Sequence, residues 1–321
     1  MHVGRIVSGL LRPGALTGPI FGKELRVSAR RRRYYLLRFT YLLLLLTFVV
    51  VVWLGVVPRR TETAVYYLAR MSEAGKHIVA TVVLFQFATC QLIAVVLLCN
   101  AVSEEISHRT LGLLMTTPIG GFQIVAGKLL SRLWQLLLLL AISLPVLAVV
   151  RVFGGVPWDY VAGGICLTMC TCIFLGAVSL WFSIFDRRSY TVILKSLFTA
   201  GILFFLLPWI SWMVLEEFCR IDEEAIAALL LHVNPYIAMG WMTAMLLEPG
   251  GAPTLPFAFR WWLTCAVMLA ASVALFSVPR APSIGKVARQ ACDGSFSARK
   301  AVSSRLFKSA VIILASLFGC F

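Results

Sequence analysis

Few residues in this chain are of a type and spacing that could do chemistry. A phosphate-binding loop needs Gly-x-x-x-x-Gly-Lys-Ser/Thr, so that backbone N–H groups wrap the phosphates and the hydroxyl meets Mg. The segment GFQIVAGKLL comes near it. Gly121 stands one residue too far from Gly127 and Lys128, and Leu129 replaces the hydroxyl. GPIFGKE, from Gly18, fails in the same way. The acidic run EEFCRIDEE, from Glu216 to Glu224, would suit a Mg-diphosphate if it read Asp-Asp-x-x-Asp, which it does not. A solvated acidic face is the plainer reading. The four histidines have no partner at ligand or base spacing, and neither His-Glu-x-x-His nor Gly-x-Ser-x-Gly occurs. Cys166 and Cys170 share a helix face, but Cys172 points elsewhere and no His or acid joins them. A structural zinc needs a fuller ligand set. The sequence therefore predicts no catalysis, no metal and no cofactor bound by this chain.

One stretch is left, NAVSEEISHRTLGLLMTTPIGGFQIVAGKLLSRL, residues 100 to 133. The Ser103 hydroxyl is expected to cap a new helical turn. Glu104 and Glu105 would then lie at its dipole-favoured N-terminal end. Ile106, Thr110, Leu113, Leu114 and Thr117 recur at helical spacing as one apolar or small face, opposite Glu105, His108, Arg109 and Met115. Pro118, Gly120 and Gly121 end the helix, and Phe122 opens a second that carries Lys128 and Arg132. An ordinary loop seldom keeps an amphipathic helix and a defined break. A helical elbow that docks a protein partner is the sharper reading.

The elements that must hold this elbow are apolar. The chain is 60% hydrophobic and 13% charged, where a soluble domain has about 45–50% and about 25%. A membrane span needs roughly 20 apolar residues. Six runs qualify: Phe39–Val57, Ile78–Val102, Leu133–Val150, Tyr160–Phe185, Ser196–Leu215 and Trp261–Val278. Trp and Tyr gather at their ends (Tyr34, Tyr35, Trp53, Trp158, Trp209, Trp261), as interfacial anchors do. The second run carries Thr81, Gln86, Thr89, Gln91 and Asn100, polar groups that are costly to expose to lipid. Gln86, Gln91 and Asn100 are candidates for a pathway or a subunit interface; intrahelical bonds and helix–helix contacts are the plainer alternative.

The net charge of +15 would suit nucleic acid, but its placement explains it otherwise. With six spans, the segments on the N-terminal side hold twenty-one Lys/Arg: nine before Phe39, three in 103–132, two in 185–190 and seven after Val278. The other side holds seven. That asymmetry predicts both termini in the cytoplasm of a multi-pass protein of the cell (inner) membrane. Membrane lipid, not nucleic acid, is the expected partner of the basic excess.

The chain divides into a cytoplasmic arm, 1–38, a six-span body, 39–280, and a basic tail, 281–321, with a short apolar end. The N-terminus is not expected to be a cleaved signal, and the apolar run that follows the arm reads as a retained first span. Within it, GPIFGKELRVSARRRRYYLLRF suggests a helix lying along the inner face. Segments 58–77 and 151–159 are expected outside and 186–188 inside. Residues 225–247 are apolar and long enough to span. Parity rejects a seventh span there, so one or two external helices, broken near Asn234–Tyr236, are expected instead. The apolar end of the tail, too short to cross, is either surface-lying or the start of a span.

Glu105, Thr110, Leu111, Leu114 and Pro118, followed by Gly127 and Lys128, make a pattern similar to the signature of ATP-binding-cassette (ABC) type-2 exporter permeases. GPIFGKELR resembles that family's connecting helix, here with Phe21, Lys23, Glu24 and Arg26. The likeness covers about residues 18–280. It implies an all-α polytopic membrane protein: six transmembrane helices, a cytoplasmic amphipathic N-terminal helix, a cytoplasmic coupling helix between spans 2 and 3, and external helices between spans 5 and 6. It implies a permease subunit that pairs with a second permease subunit, as a homo- or heterodimer. ATP and Mg would be held by a separate ABC ATPase subunit. Glu104, Glu105, His108, Arg109, Thr110, Leu113, Leu114 and Pro118 would form the coupling surface. Two other readings stay open: a structural or regulatory subunit of an envelope or motility complex that moves nothing, and an intramembrane enzyme acting on lipid or isoprenoid.

Overall fold

Helices account for every regular element of the computed structural model, which describes residues 32–56, 64–108, 121–185, 189–217, 223–248 and 259–277. They are α1 (Arg32–Val56), α2 (Ala64–His108), α3 (Gly121–Gly154), α4 (Trp158–Phe185), α5 (Ser189–Gly201), a π-helical turn (Ile202–Leu206), α6 (Leu207–Glu217), α7 (Glu223–Val233), α8 (Pro235–Leu247) and α9 (Trp261–Ser277). Five stretches are long and apolar enough to cross a membrane: Tyr34–Val56, Met71–Cys99, Leu129–Val152, Trp158–Ser183 and Ser189–Val214. They correspond to the first five expected spans. The sixth, expected over Trp261–Val278, is the 17-residue α9, an apolar helix below the length that qualifies the others. Residues 225–247 form two helices bent by 108° at Asn234, not one straight rod.

The chain divides into two units, Met1–Ile165 and Cys166–Phe321. In the first, α2 and α3 pack most extensively. A Cβ added to Gly154 would stand 2.8 Å from the Gly75 carbonyl carbon, so the two backbones touch there. Gln86, eleven residues after Gly75, meets Ser143, eleven residues before Gly154. The helices therefore run antiparallel in one register between these contacts. Helix α1 lies against α2 through Tyr41, Leu45 and Phe48, with the Phe85 ring 5.7 Å from Tyr41 and 5.1 Å from Phe48. Its remaining face is bare: Leu43, Leu44, Leu46, Val50, Val51 and Leu54 are all exposed. Only 11% of its span window is buried. A row of that kind is stable in lipid and not in water.

Two sequence expectations change. Segment 58–77 reads as a loop, yet α2 begins at Ala64 and passes unbroken into the span. Between Ala64 and His77 there is no Pro, and most residues favour helix; the one Gly, Gly75, serves the contact with Gly154. Ser103 does not cap a new helix, because α2 continues through it to His108. The stretch Ala101–His108 contains neither Pro nor Gly to break the i→i−4 ladder. Glu104 and Glu105 consequently belong to the last described turns of α2 and not to a first turn. Helix α1 is described from Arg32 and passes unbroken into the first apolar stretch.

In the second unit, α5, the π-turn and α6 make one apolar stretch. The π-turn has a local cause. Pro208 carries no N–H, so the carbonyl four residues earlier, Phe204's, lacks its helical donor. Asn234 Nδ2 donates to that carbonyl at 2.7 Å. The same side chain caps α8, its Oδ1 accepting from Tyr236 N at 2.9 Å and from Ile237 N at 3.5 Å. Pro235 sits at the first helical position, where a missing N–H costs nothing. The Tyr236 ring closes the contact, 5.2 Å from Phe204 and 5.1 Å from Phe205.

Candidate functional site

The elbow is anchored at both ends. On one side α2 carries Asn100, Glu104, Glu105 and His108 as a direct extension of the span that closes at Cys99. On the other, α3 opens at Gly121 and brings Lys128 to the residue before the span starting at Leu129. At 1.5 Å per residue, Glu105 stands about 9 Å beyond the apolar stretch of α2, and Gly121 about 12 Å beyond that of α3. The two helices run antiparallel, so segment 109–120 is tethered between two adjacent rods. Arg109, Thr110, Leu113, Leu114 and Pro118 lie outside the described residues, as do Phe21, Lys23, Glu24 and Arg26 of the connecting segment.

The same end of the unit holds a contact that the sequence alone does not single out. Arg132 is nearly buried. Its Nη1 donates to the Tyr34 hydroxyl, and its guanidinium lies 5.9 Å from the centre of that ring. This ties the start of α1 to the first turn of the apolar stretch of α3. A charge-assisted bond of this kind contributes about 1.5–3 kcal/mol. The legible signal is a cation and an aromatic at one expected interface depth on two spans.

Two polar residues of the second span, Gln86 and Gln91, turn inward. Gln86 is wholly buried, and its Oε1 accepts from the Ser143 hydroxyl of α3. Ser143 Oγ is also 2.8 Å from the Leu140 carbonyl of its own helix. Gln91 and, on α3, Gln135 are buried in the same unit. Thr81 bonds back to the His77 carbonyl at 2.8 Å. Gln86 thus bonds between helices and Thr81 within its own. Asn100 is placed only by its position on α2.

Among the described residues no group of three or more His, Cys, Asp or Glu is gathered to hold a metal ion. Six of the cysteines, Cys90, Cys99, Cys166, Cys170, Cys172 and Cys265, are not joined in disulfides. What the described residues offer at this end is the helical end of α2 at His108 and the helical start of α3 at Gly121. No protein-family model matches the chain, and no curated protein matches it.

Proposed function

We propose that the chain is the transmembrane permease subunit of an ATP-driven exporter of the ABC type-2 kind. In this reading it has no ATPase of its own. ATP and Mg are bound by a separate ABC ATPase subunit, which docks on the elbow, and a second permease subunit pairs with this one in the membrane. The observation that supports it best is the continuity of α2 from the apolar stretch Met71–Cys99 to His108. Glu105, the first residue of the signature, is joined without a break to the span, which makes α2 a lever: displacement at Glu105 tilts the whole helix. The antiparallel partner α3, in backbone contact at Gly75–Gly154, must move with it, because packed helices shift as bodies and do not deform smoothly.

The barely covered α1 and α5–α6 stretches, 11% and 17% buried, leave apolar surface for lipid and for a second permease subunit. The test is co-purification from the native membrane. The reading expects an ATPase subunit to accompany the chain and ATP hydrolysis to depend on both. A purified chain that hydrolyses ATP alone, or that never brings down an ATPase, refutes it.

A further inference from the structure

We propose that the end of the first unit where Gly75 meets Gly154 carries a binding site for the phosphate of a lipid headgroup. Arg151 is its central cation and Trp158 the platform that holds it. The Arg151 guanidinium lies 3.7 Å from the centre of the Trp158 ring, a close stacking contact. Arg151 is only partly exposed, and its Nε is enclosed without a hydrogen-bond partner. No described acidic side chain forms an ion pair with it. Lys76, also half-buried, follows Gly75 on α2, and its backbone nitrogen would be 3.1 Å from a Cβ on Gly154. Two cations are therefore brought to one end of the α2–α3 pair. Asp159, next to Trp158, and Glu73 and His77, on the same stretch of α2, are the other titratable groups described there.

A partly desolvated guanidinium without a counter-charge is costly. Stacking uses its face and leaves the edge N–H groups, whose fork geometry matches phosphate oxygens. The depth fits a lipid. Arg151 and Val152 close the apolar stretch of α3, and Trp158 opens that of α4. Trp158 is 62% exposed, as a ring at headgroup level would be. Lys76 adds a second positive charge, which favours a headgroup with net negative charge over a zwitterionic one. The proposal rests on the membrane reading of the five long helices and not on the docking of an ATPase.

The experiment is native mass spectrometry of the full chain in mild detergent, titrated with phosphatidylglycerol or phosphatidylcholine, beside Arg151→Ala, Arg151→Lys, Trp158→Leu and Lys76→Ala. Wild type should hold one phosphatidylglycerol more tightly than phosphatidylcholine. Arg151→Ala should weaken it about tenfold, the factor carried by one charge-assisted bond. Arg151→Lys should fall between, and Trp158→Leu and Lys76→Ala should each weaken it. Equal affinity in wild type, Arg151→Ala and Trp158→Leu overturns the proposal. If Arg151→Ala does not fold, equal affinity in wild type, Arg151→Lys and Trp158→Leu does so. Binding of inorganic phosphate to lipid-free protein at the same site, with no preference for the lipid, overturns the lipid assignment. Failure of the chain to enter lipid nanodiscs refutes the membrane reading itself, an outcome distinct from embedding without Arg151-dependent lipid binding.

Discussion

Replacing Gly154 by Ala puts a methyl group where the structure has a neighbouring backbone. The new Cβ would lie 2.8 Å from the carbonyl carbon of Gly75, 2.9 Å from its Cα and 3.1 Å from Lys76 N. All three are main-chain atoms of α2, so no side chain can swing aside. Relief requires α2 and α3 to part by several tenths of an ångström, which loosens the packing along the register that joins Gln86 to Ser143. Overpacking of this kind costs about 1–3 kcal/mol. Against it stands the usual gain from Gly to Ala in a helix, about 0.5–1 kcal/mol. That gain is reduced here because Gly154 is the last residue of α3. The net expectation is a loss of about 1–2 kcal/mol. Gly240→Ala, inside α8, is the control: nothing lies within 4 Å of its would-be Cβ, so it should be neutral or slightly stabilising. Unfolding of both variants in the same detergent, by rising SDS fraction or by temperature, compares them directly. If Gly154→Ala is as stable as Gly240→Ala, the backbone contact between α2 and α3 does not exist, and the lever drawn from it fails.

Asn234→Ala should cost about 2–3 kcal/mol, because it removes the α8 cap, about 1 kcal/mol, and leaves the Phe204 carbonyl unpaired. Asn234→Asp keeps the cap but replaces the donor with a buried carboxylate oxygen facing the Phe204 carbonyl oxygen, so it should be no better than Ala in the same unfolding assay; a neutral Asp refutes the double role. Tyr34→Phe and Arg132→Gln, combined in a double-mutant cycle, should show a coupling of about 1–2 kcal/mol; a coupling near zero removes the tie between α1 and α3. For topology, cysteines introduced at Glu62 and Glu223 should react with an impermeant maleimide from outside, and those at Arg187 and Lys286 should not. Outside labelling at Lys286 would overturn the parity reasoning.

Five long apolar helices were legible because a continuous apolar run of sufficient length has few alternatives to a membrane helix. The break at Asn234 was legible too, since an Asn-Pro pair inside an apolar run offers a cap and a ready first turn together. Helix ends were less so. Apolar character stops at the membrane surface, whereas the hydrogen-bond ladder stops only at a breaker. For that reason α2 overran its apolar stretch at both ends, through Ala64–His77 and through Ser103–His108. Serine caps a helix only where the preceding residue is not already helical, so Ser103 carried no boundary. The contacts of Arg132 with Tyr34 and of Arg151 with Trp158 pair residues on helices whose relative rotation no periodicity fixes. The π-turn escaped for a related reason: Pro208 announced a lost donor, but the partner that rescues Phe204 stands thirty residues away.

The central claim is that the segment between α2 and α3 seats an ATPase subunit. The most direct measurement is the ATP hydrolysis recovered when the chain is purified with its partner, for wild type and for Glu105→Ala combined with Arg109→Ala. Both side chains are expected at the surface from the sequence, where such changes usually alter stability by no more than about 0.5 kcal/mol, so membrane insertion should be unchanged. A charge-assisted contact with the partner contributes about 1.5–3 kcal/mol, and its loss should lower the recovered ATPase about tenfold or more. Leu113→Asp, which puts a charge on the apolar face expected for this segment, should lower it further. Full recovery of ATPase by both variants, with the partner still bound, would contradict the account.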